Sequence, residues 1–443
     1  MGTYVPNTSQ EQREMLQAIG MESVRELFHT VPEEVYLKDA LKLEKGLSEF
    51  EVRNRMTRMA DRNTVFQSIF RGAGAYRHYI PSIVSQITSK EEFMTAYTPY
   101  QAEISQGILQ SIFEYQTMIC ELTGMEVSNA SVYDGATAAA EAVIMCQERN
   151  RKKALISAAV HPQTMETVKT YCCGTDMEVV VVPAKEGRTD LESLKSMVDG
   201  QTACVLIQQP NFYGLLEDGD AVGAITAGTQ VKYIMSCYPI SLGLLRTPRE
   251  YGADIAIGEG QPLGIPLSFG GPYLGYMATT EKLMRRLPGR IAGETVDAKG
   301  NRAYVLTLQA REQHIRREKA SSNICSNQAL CAMTAAVYLD AMGQQGLEQA
   351  ARLSMSKAHY LAEQICRLEG FSMKYPGEYF NEFVTDFTGN VDNLLAGLAE
   401  RGILGGYPLE GECSGAILWC ATEMNTREEM DALIHAMKEV LGQ

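Results

Sequence analysis

A run of small and polar residues at 129–137 is the segment whose composition best suits the binding of a ligand. It leads directly into an alanine-rich stretch, so we expect it to lie at the start of a helix. Small residues there let backbone N–H groups approach an anion closely, and the helix dipole favours negative charge. The segment therefore predicts an anion site at Asp134, Gly135, Ala136 and Thr137. An alanine-rich helix packed tightly on a sheet explains the same residues, and this segment alone favours that second interpretation.

The spacing of histidine and cysteine argues against metal and redox chemistry. The six histidines lie far apart in sequence and show no metal-ligand spacing, so we expect no metal site. The eleven cysteines include no C-x-x-C pair, and in a chain of this size they indicate reduced thiols rather than a disulfide framework. The glycine pairs at 72–74 and 258–260 match no nucleotide-binding motif and predict turns.

Positive charge is concentrated in one part of an otherwise acidic chain. The residues that contribute it are Arg311, Arg316, Arg317 and Lys319, with Arg285, Arg286 and Arg290 upstream. A patch of this kind attracts an acidic partner and orients its approach. A solvated helical face is the alternative interpretation, and the sequence favours it slightly.

Length and composition define the class of protein. With 443 residues, 45% of them apolar and 21% charged, the chain is typical of a globular enzyme with two or three domains. Its net charge of -14 argues against a primary role on nucleic acid or on an anionic membrane. The first residues lack the pattern of a signal peptide, and no stretch of eighteen apolar residues occurs, so we expect a cytoplasmic protein.

The elements that must position these residues form a regular pattern. Short apolar segments, typical of buried strands, alternate with amphipathic helical segments. The predicted strands are 154–159, 178–182, 203–208, 232–237, 254–257 and 274–278. Such alternation indicates βαβ units and a mainly parallel sheet. We therefore predict a helical arm at 1–62, a large α/β domain at 63–330 and a small α+β domain at 331–443. The last part is expected to contain a helix at 324–341, strands at 379–387 and 416–420, and a final helix at about 426–441.

Several long motifs resemble the glycine decarboxylase (P-protein) family of the glycine cleavage system. They are 96–107 (AYTPYQAEISQG), 122–125 with 134–138, 258–264 (GEGQPLG), 269–273 (FGGPY), 293–295 (GET), 308–317 (LQAREQHIRR) and, in the arm, 4–8 with 15–20. The resemblance covers nearly the whole chain. It implies the aspartate-aminotransferase-like fold of pyridoxal phosphate enzymes, known as fold type I. It also implies a complex that decarboxylates glycine and transfers the aminomethyl group to the lipoyl arm of a carrier protein.

That chemistry requires two side chains that this chain lacks. In the family, a lysine after a strand in the second half of the large domain holds the cofactor covalently, and an acid on a neighbouring strand faces the ring nitrogen. No lysine occurs between Lys232 and Lys282, and the expected position falls at Gln261 or Pro262. Residues 221–249 contain neither Asp nor Glu, and Tyr238 stands before Pro239 where the family's first subunit is expected to have Asp. We therefore predict no catalytic residue in this chain.

In lacking both side chains, this chain resembles the first subunit of the two-chain form of the enzyme. In that form a second subunit supplies the lysine and binds pyridoxal phosphate. Because active sites of this fold form between subunits, Thr98, Tyr100 and Gln101 are candidates to complete the partner's site, and a buried structural turn is an equal alternative. The fold often places an aromatic group over the cofactor at the position of His161. Here capping of the next helix, or filling of a relict pocket with residues 134–137, is favoured for His161.

Further expectations concern the carrier and the competing functions. The basic patch at Arg311, Arg316 and Arg317 is expected to face the acidic lipoyl carrier protein. A free-standing pyridoxal phosphate lyase that uses an unexpected lysine such as Lys282 is one alternative, and a purely structural scaffold subunit is another. The first alternative requires a borohydride-reducible adduct on the chain alone. The second predicts that changes at Thr98 or Tyr100 leave the complex intact and fully active.

Overall fold

A computed structural model describes residues 6–37, 39, 41–320, 322–325 and 327–443. Tyr4 and Val5 of the N-terminal motif lie outside the described residues. The chain forms two compact units, Met1–Thr64 and Val65–Gln443.

The N-terminal unit consists of helices without a large core of its own. Its helices are Ser9–Ala18 and Glu49–Ala60, with single 3-10 turns at Val24–Phe28 and Glu33–Val35. Thr8 and Ser48 cap the two helices, each in a reciprocal pair with a glutamate three residues later. Leu16 is the one buried apolar side chain among the described residues of this unit. Much of the apolar surface of these helices is therefore exposed.

The second unit is built on a seven-stranded sheet whose strands follow the apolar bursts of the sequence. The strands are β1 (Val127–Ser128), β2 (Lys153–Ser157), β3 (Glu178–Val182), β4 (Thr202–Gln209), β5 (Lys232–Cys237), β6 (Ile255–Glu259) and β7 (Gly275–Thr279). Their order across the sheet is β1-β7-β6-β5-β4-β2-β3. Strands β2 to β6 run parallel, and β7 runs antiparallel to β6 and β1. The predicted mainly parallel α/β sheet is confirmed.

Apolar side chains cover both faces of this sheet. Val205 and Tyr233 belong to one core cluster, whereas the next residues, Leu206 and Ile234, belong to another. Such alternation places successive side chains on opposite faces, which explains why the strands are continuously apolar. The helices that pack against the sheet include α1 (Gln106–Thr123), α2 (Gly135–Met145), α3 (Pro162–Cys173), Leu191–Met197 and Gly219–Thr226.

The C-terminal third forms a smaller α+β layer. Helix α4 (Ala329–Ile365) contains a non-helical residue, Gly343, and ends before a four-stranded antiparallel sheet. Its strands are β10 (Phe371–Met373), β11 (Glu382–Phe387), β12 (Tyr407–Pro408) and β13 (Ala416–Cys420), and the hairpin β8 (Ile291–Val296) with β9 (Arg302–Thr307) precedes them. Helices Val391–Glu400 and α5 (Arg427–Leu441) pack with this sheet around the buried Trp419.

Three predicted boundaries in this third are wrong. The long helix continues to Ile365 rather than ending at 341, because the chain returns to helical geometry after Gly343. The long helix begins at Ala329 rather than at 324, because Ile324 is instead buried in the core of the large sheet and the backbone N–H of Gln328 donates to Ser131 Oγ. The strand predicted from 379 begins at Glu382, because Tyr379 forms an isolated bridge with Leu215. Among the described residues, no helix combines the length and apolarity that a membrane crossing requires.

Candidate functional site

A cavity of about 330 Å³ lies at the carboxyl ends of the parallel strands. The ends of β4, β5 and β6 and the starts of α2 and α3 form its walls. Open α/β sheets bind ligands at this edge, because the loops there leave a crevice. Of the residues predicted for a relict cofactor pocket, Asp134, Gly135, Ala136 and His161 line the cavity, as does Pro262.

Asp134 and Thr137 cap helix α2 at the edge of this cavity. The carboxylate of Asp134 accepts a hydrogen bond from the backbone N–H of Thr137 at 2.7 Å. The hydroxyl of Thr137 in return accepts from the backbone N–H of Asp134 at 3.1 Å. This reciprocal capping stabilises the helix start and uses one of the N–H groups that an anion would otherwise take.

Glu259 binds a second N–H group at the start of α2. Its Oε2 accepts from the backbone N–H of Gly135 at 2.9 Å, and its Oε1 accepts from Gln261 and Leu274 at 2.9 and 3.1 Å. Burial raises the pKa of Glu259 to about 7. The chain therefore satisfies its own helix start with a side chain. Sequence reasoning missed Glu259, although an acid at the end of an apolar strand was a visible signal.

Gln261 is one of the two positions, with Pro262, at which the lysine is expected, and its amide makes hydrogen bonds within the fold. It is 2% exposed. Its Oε1 accepts from the backbone N–H of Tyr76 at 3.0 Å, and its Nε2 donates to the carbonyls of Tyr76 and Ile265 at 2.9 and 2.8 Å. The described residues that line the cavity include no lysine and no arginine.

The wall formed by β5 has a serine and an aromatic ring in place of an acid. Ser236 and Tyr238 line the cavity, and the ring of Tyr238 packs at 4.5 Å from that of Tyr76. The hydroxyl of Tyr238 contacts His78 Nε2, while Nδ1 of His78 lies 2.6 Å from the carboxylate of Glu423. Tyr238 thus belongs to a buried polar chain that ends in an acid on another segment.

Glu382 closes a further side of the same region. Its carboxylate accepts from the hydroxyl of Tyr76 and from the backbone N–H of Ala73, both at 2.7 Å. Burial raises the pKa of Glu382 to about 7. Taken with Glu259 and Gln261, this contact means that the cavity does not fit covalently held pyridoxal phosphate. The described residues that line it include no lysine and no acid from β5, and the N–H groups of Gly135 and Thr137 at the helix start are already bonded within the chain.

His161 has a hydrogen-bond partner on each ring nitrogen. Nδ1 accepts from the backbone N–H of Gln163 at 3.1 Å, so the proton lies on Nε2, which donates to the carbonyl of Ala73 at 2.9 Å. Burial lowers the pKa of His161. A neutral His161 therefore caps α3 and forms part of the cavity wall, with its ring edge-on to Phe212.

The segment with Thr98, Tyr100 and Gln101 lies elsewhere, on the surface. Tyr100 is 47% exposed, and its neighbours Tyr97 and Ile104 are 85% and 80% exposed. The hydroxyl of Tyr100 accepts from Arg290 at 2.7 Å. Among the described residues, the side chains of Thr98 and Gln101 have no hydrogen-bond partner. The three candidates thus share one surface and leave polar groups available.

The predicted basic patch is divided among three cavities, and Arg290 lines the one beside Thr98. Arg311 and Arg316 line a cavity of about 700 Å³, whereas Arg317 lines another beside His314. The first cavity also contains Arg285, Arg286, Lys319 and two cations that sequence reasoning missed, Arg149 and Lys152. Glu148 is the one acid among the residues that line it, and it contacts Arg286 at 3.4 Å. The patch is therefore a basic cavity rather than a helical face.

The structure also shows the position of Lys282 and the arrangement of side chains that could bind a metal ion. Lys282 is exposed on the turn Glu281–Arg286 and does not line the strand-end cavity. In the described part of the chain, no three His, Cys, Asp or Glu side chains come together in a cluster able to hold a metal ion.

Comparisons with known proteins agree on one family. A family model described as glycine cleavage system P-protein matches residues 2–437. Proteins named probable glycine dehydrogenase (decarboxylating) subunit 1 are similar over 99% of both chains, with 47% identity in Desulfitobacterium hafniense and 49% in Carboxydothermus hydrogenoformans.

Solved structures extend this comparison to the fold. An inhibitor-bound glycine decarboxylase (P-protein) of the glycine cleavage system is similar with a TM-score of 0.93 and 41% identity, over 99% of this chain and 100% of that chain. Glutamate decarboxylase of Lactobacillus brevis has a TM-score of 0.68 at 14% identity, over 92% of this chain and 96% of that one, and shows the fold alone.

Proposed function

Because this chain belongs to the glycine cleavage system P-protein family, we propose that it is the lysine-lacking subunit of a two-chain glycine decarboxylase. In this proposal a second subunit of the same family binds pyridoxal phosphate covalently. The complex decarboxylates glycine and transfers the aminomethyl group to the lipoyl arm of a carrier protein. The cofactor, when bound there, supplies the electron sink for decarboxylation.

The main observation in support of this proposal is that the amide of Gln261 is fully hydrogen-bonded within the chain. With Pro262, it is one of the two positions at which the lysine is expected, and its amide hydrogen bonds all go to Tyr76 and Ile265. Glu259 supports the same conclusion, since it already occupies the helix start. A side chain that is fully used for structure has no free group for covalent chemistry.

The surface at Thr98, Tyr100 and Gln101 supports a contribution to the partner's site. Its hydroxyl and amide groups are exposed or unpaired within the described chain, and the rigid Pro99 beside them is buried. Exposed aromatic and apolar residues around polar groups are typical of an interface between subunits. We therefore place the contact with the second subunit on this surface.

Glycine-dependent exchange of labelled bicarbonate tests the proposal. The assay contains pyridoxal phosphate and lipoyl carrier, with this chain alone, the second subunit alone, or both. We expect exchange only in the mixture. Exchange by this chain alone would contradict the proposal and would favour the free-standing lyase.

Borohydride reduction of the mixture then identifies the chain that holds the cofactor. After digestion and mass spectrometry, we expect the reduced adduct only on the second subunit. An adduct on this chain would be compared with the variant Lys282→Ala, because Lys282 is the lysine named for the alternative function. Loss of the adduct in that variant would establish the lyase reading.

The basic cavity is where we propose that the acidic carrier protein docks. Its lining has seven cationic side chains and one acid in a chain of net charge -14. Substitutions at Arg316 and Arg317 form a matched pair, because the two residues are neighbours in sequence but line different cavities. Arg316→Glu should raise the Michaelis constant for the carrier several-fold at low salt, whereas Arg317→Glu should not. Equal effects of the two changes would reject this cavity as the docking site.

A further inference from the structure

Arg290 is a buried cation without a counter-ion in the described chain. It is 4% exposed. Its Nη2 donates to the hydroxyl of Tyr100 at 2.7 Å and lies 3.7 Å from the sulfur of Cys325. Its Nε has no acceptor among the described residues, and no carboxylate of those residues lies within ion-pair distance. A phenol and a thiol are therefore the only side-chain partners that the described chain gives this guanidinium.

A buried guanidinium in this state is unfavourable. Removing a charge from water is costly unless an opposite charge or several acceptors replace the solvent. Arg311, which is half-buried, donates to the carbonyls of Leu308 and Gly289 and so is satisfied by backbone. The buried acid of this region, Glu312, contacts His314 at 3.6 Å rather than Arg290. Arg290 thus keeps binding capacity that the described chain does not use.

A cavity next to Arg290 provides room for a ligand group. It has a volume of about 250 Å³, and its lining residues include Arg290 and four with side chains able to donate a hydrogen bond, Tyr97, Thr98, Ser111 and Asn327. The other lining residues are mostly apolar, for example Phe93 and Met333, and none carries a carboxylate. A forked guanidinium beside a hydroxyl and an amide matches the geometry of a carboxylate or a phosphate group.

We infer that Arg290 and this cavity form an oxyanion-binding site, already present in the isolated chain, which takes a carboxylate or a phosphate group. This inference rests on the proposed function, because the site shares Thr98 with the surface assigned to the second subunit. The anion comes either from a small molecule of the reaction or from an acidic side chain of the second subunit. Both sources present the same chemistry to Arg290.

Titration of the full chain alone with inorganic phosphate, followed by calorimetry, tests the site. We expect binding that Arg290→Met weakens at least tenfold and that Arg290→Lys weakens less, since lysine keeps the charge without the fork. Arg285→Met is the matched control, because Arg285 lies in the basic cavity and should leave this binding unchanged. Absence of binding, or equal binding by wild type and Arg290→Met, would overturn the inference.

A second variant guards against a folding defect at position 290. Tyr100→Phe removes the hydroxyl that occupies Nη2, so phosphate affinity should be retained or increased. A loss of affinity as large as that of Arg290→Met would show that the pair is only structural. Far-ultraviolet circular dichroism of each variant verifies that it folds.

Repeating the titration with the second subunit present identifies the source of the anion. If the subunit displaces phosphate in equal stoichiometry, the anion is one of its acidic side chains. If phosphate still binds and competes with glycine or pyridoxal phosphate, the anion belongs to the small molecule. The bicarbonate exchange assay does not depend on this titration, so failure of the site and failure of the proposed function are distinguishable.

Discussion

The strand-end cavity and the surface around Thr98 differ in how their polar groups are paired. In the cavity, Glu259, Gln261 and His161 each make hydrogen bonds within the chain. On the surface, Thr98 and Gln101 lack side-chain partners among the described residues, and Arg290 has an unused donor. Internal pairing stabilises a fold but leaves nothing for a ligand. The comparison suggests that this chain keeps its own pocket for structure and offers the other surface to a partner.

The largest expected effect concerns the structural role of Gln261. Gln261→Leu leaves the backbone N–H and carbonyl of Tyr76 and the carbonyl of Ile265 without their partner, which should lower the free energy of unfolding by about 4 kcal/mol. Urea unfolding measures this loss. The exchange rate per folded complex should not change. A fall in that rate with full stability would mean that the cavity takes part in the reaction.

The opposite outcome is expected on the surface. A double change of Thr98 and Tyr100 to Ala should lower the exchange rate of the mixed complex on the order of 100-fold, as loss of positioned donors does elsewhere. Stability should fall by about 1–3 kcal/mol, because Tyr100 accepts a hydrogen bond from the buried Arg290 and packs against its guanidinium, so the rate is compared per folded complex. Gel filtration confirms assembly. An intact complex with full activity would favour the scaffold alternative.

The dependence of stability on pH tests whether Glu382, beside the cavity, is protonated in the folded state. Burial raises the pKa of Glu382 from 4.5 to about 7, so the folded state holds a proton that the unfolded state releases. Stability from this group is present below about pH 4.5 and is lost as the pH rises towards 7. Its neighbours Tyr76 and Cys420 remain protonated in this range, because burial raises the pKa of both.

Glu382→Gln removes this dependence. The amide oxygen can still accept from Ala73, and the amide nitrogen can donate to the hydroxyl of Tyr76. Relative to wild type, the variant should gain about 2 kcal/mol of unfolding free energy between about pH 5 and about pH 8. Urea unfolding across that range measures the gain. Parallel pH profiles for the two proteins would show that Glu382 titrates normally.

The smallest expected effect comes from a substitution that opens the strand-end cavity to an anion. Glu259→Ser frees the backbone N–H of Gly135, so the isolated chain should gain weak phosphate binding, about tenfold above wild type at this position. Glu259→Gln is the control, since its amide oxygen still accepts from Gly135. Calorimetry in the Arg290→Met background isolates the new site. No gain would mean that the helix start is closed by more than Glu259.

Much of the large domain could be predicted from the sequence. Strands β3 and β5 match the predicted ranges 178–182 and 232–237. Strand β5 is buried and needs an apolar run, whereas β3 lies at the sheet edge and is recognised by its run of β-branched valines. The helix at 324 and the strand at 379 were misplaced, since tertiary packing of Ile324 and Tyr379 overrides local propensity. The three-part domain division stays a prediction.

The candidate site was less predictable than the fold. Arg316 and Arg317 are adjacent in sequence but line separate cavities, and Arg149 joins Arg316 from far away. Side chains that meet in space but are far apart in sequence leave no local sequence pattern that would predict their contact. Periodicity and motif length report which elements exist, whereas the contacts between their ends depend on how the elements pack.

The sequence by itself determined the family, the alternation of strands and helices, and the absence of the lysine and the acid. These properties are local, because residue type and spacing are enough to show them. Only the tertiary structure decided which polar groups are satisfied. Glu259 meets Gly135 across 124 residues, Gln261 meets Tyr76 across 185, and Arg290 meets Tyr100 across 190. Hydrogen bonds require donor and acceptor to be placed within a few tenths of an ångström of the ideal distance, and this placement is set when the sheet and its helices pack together.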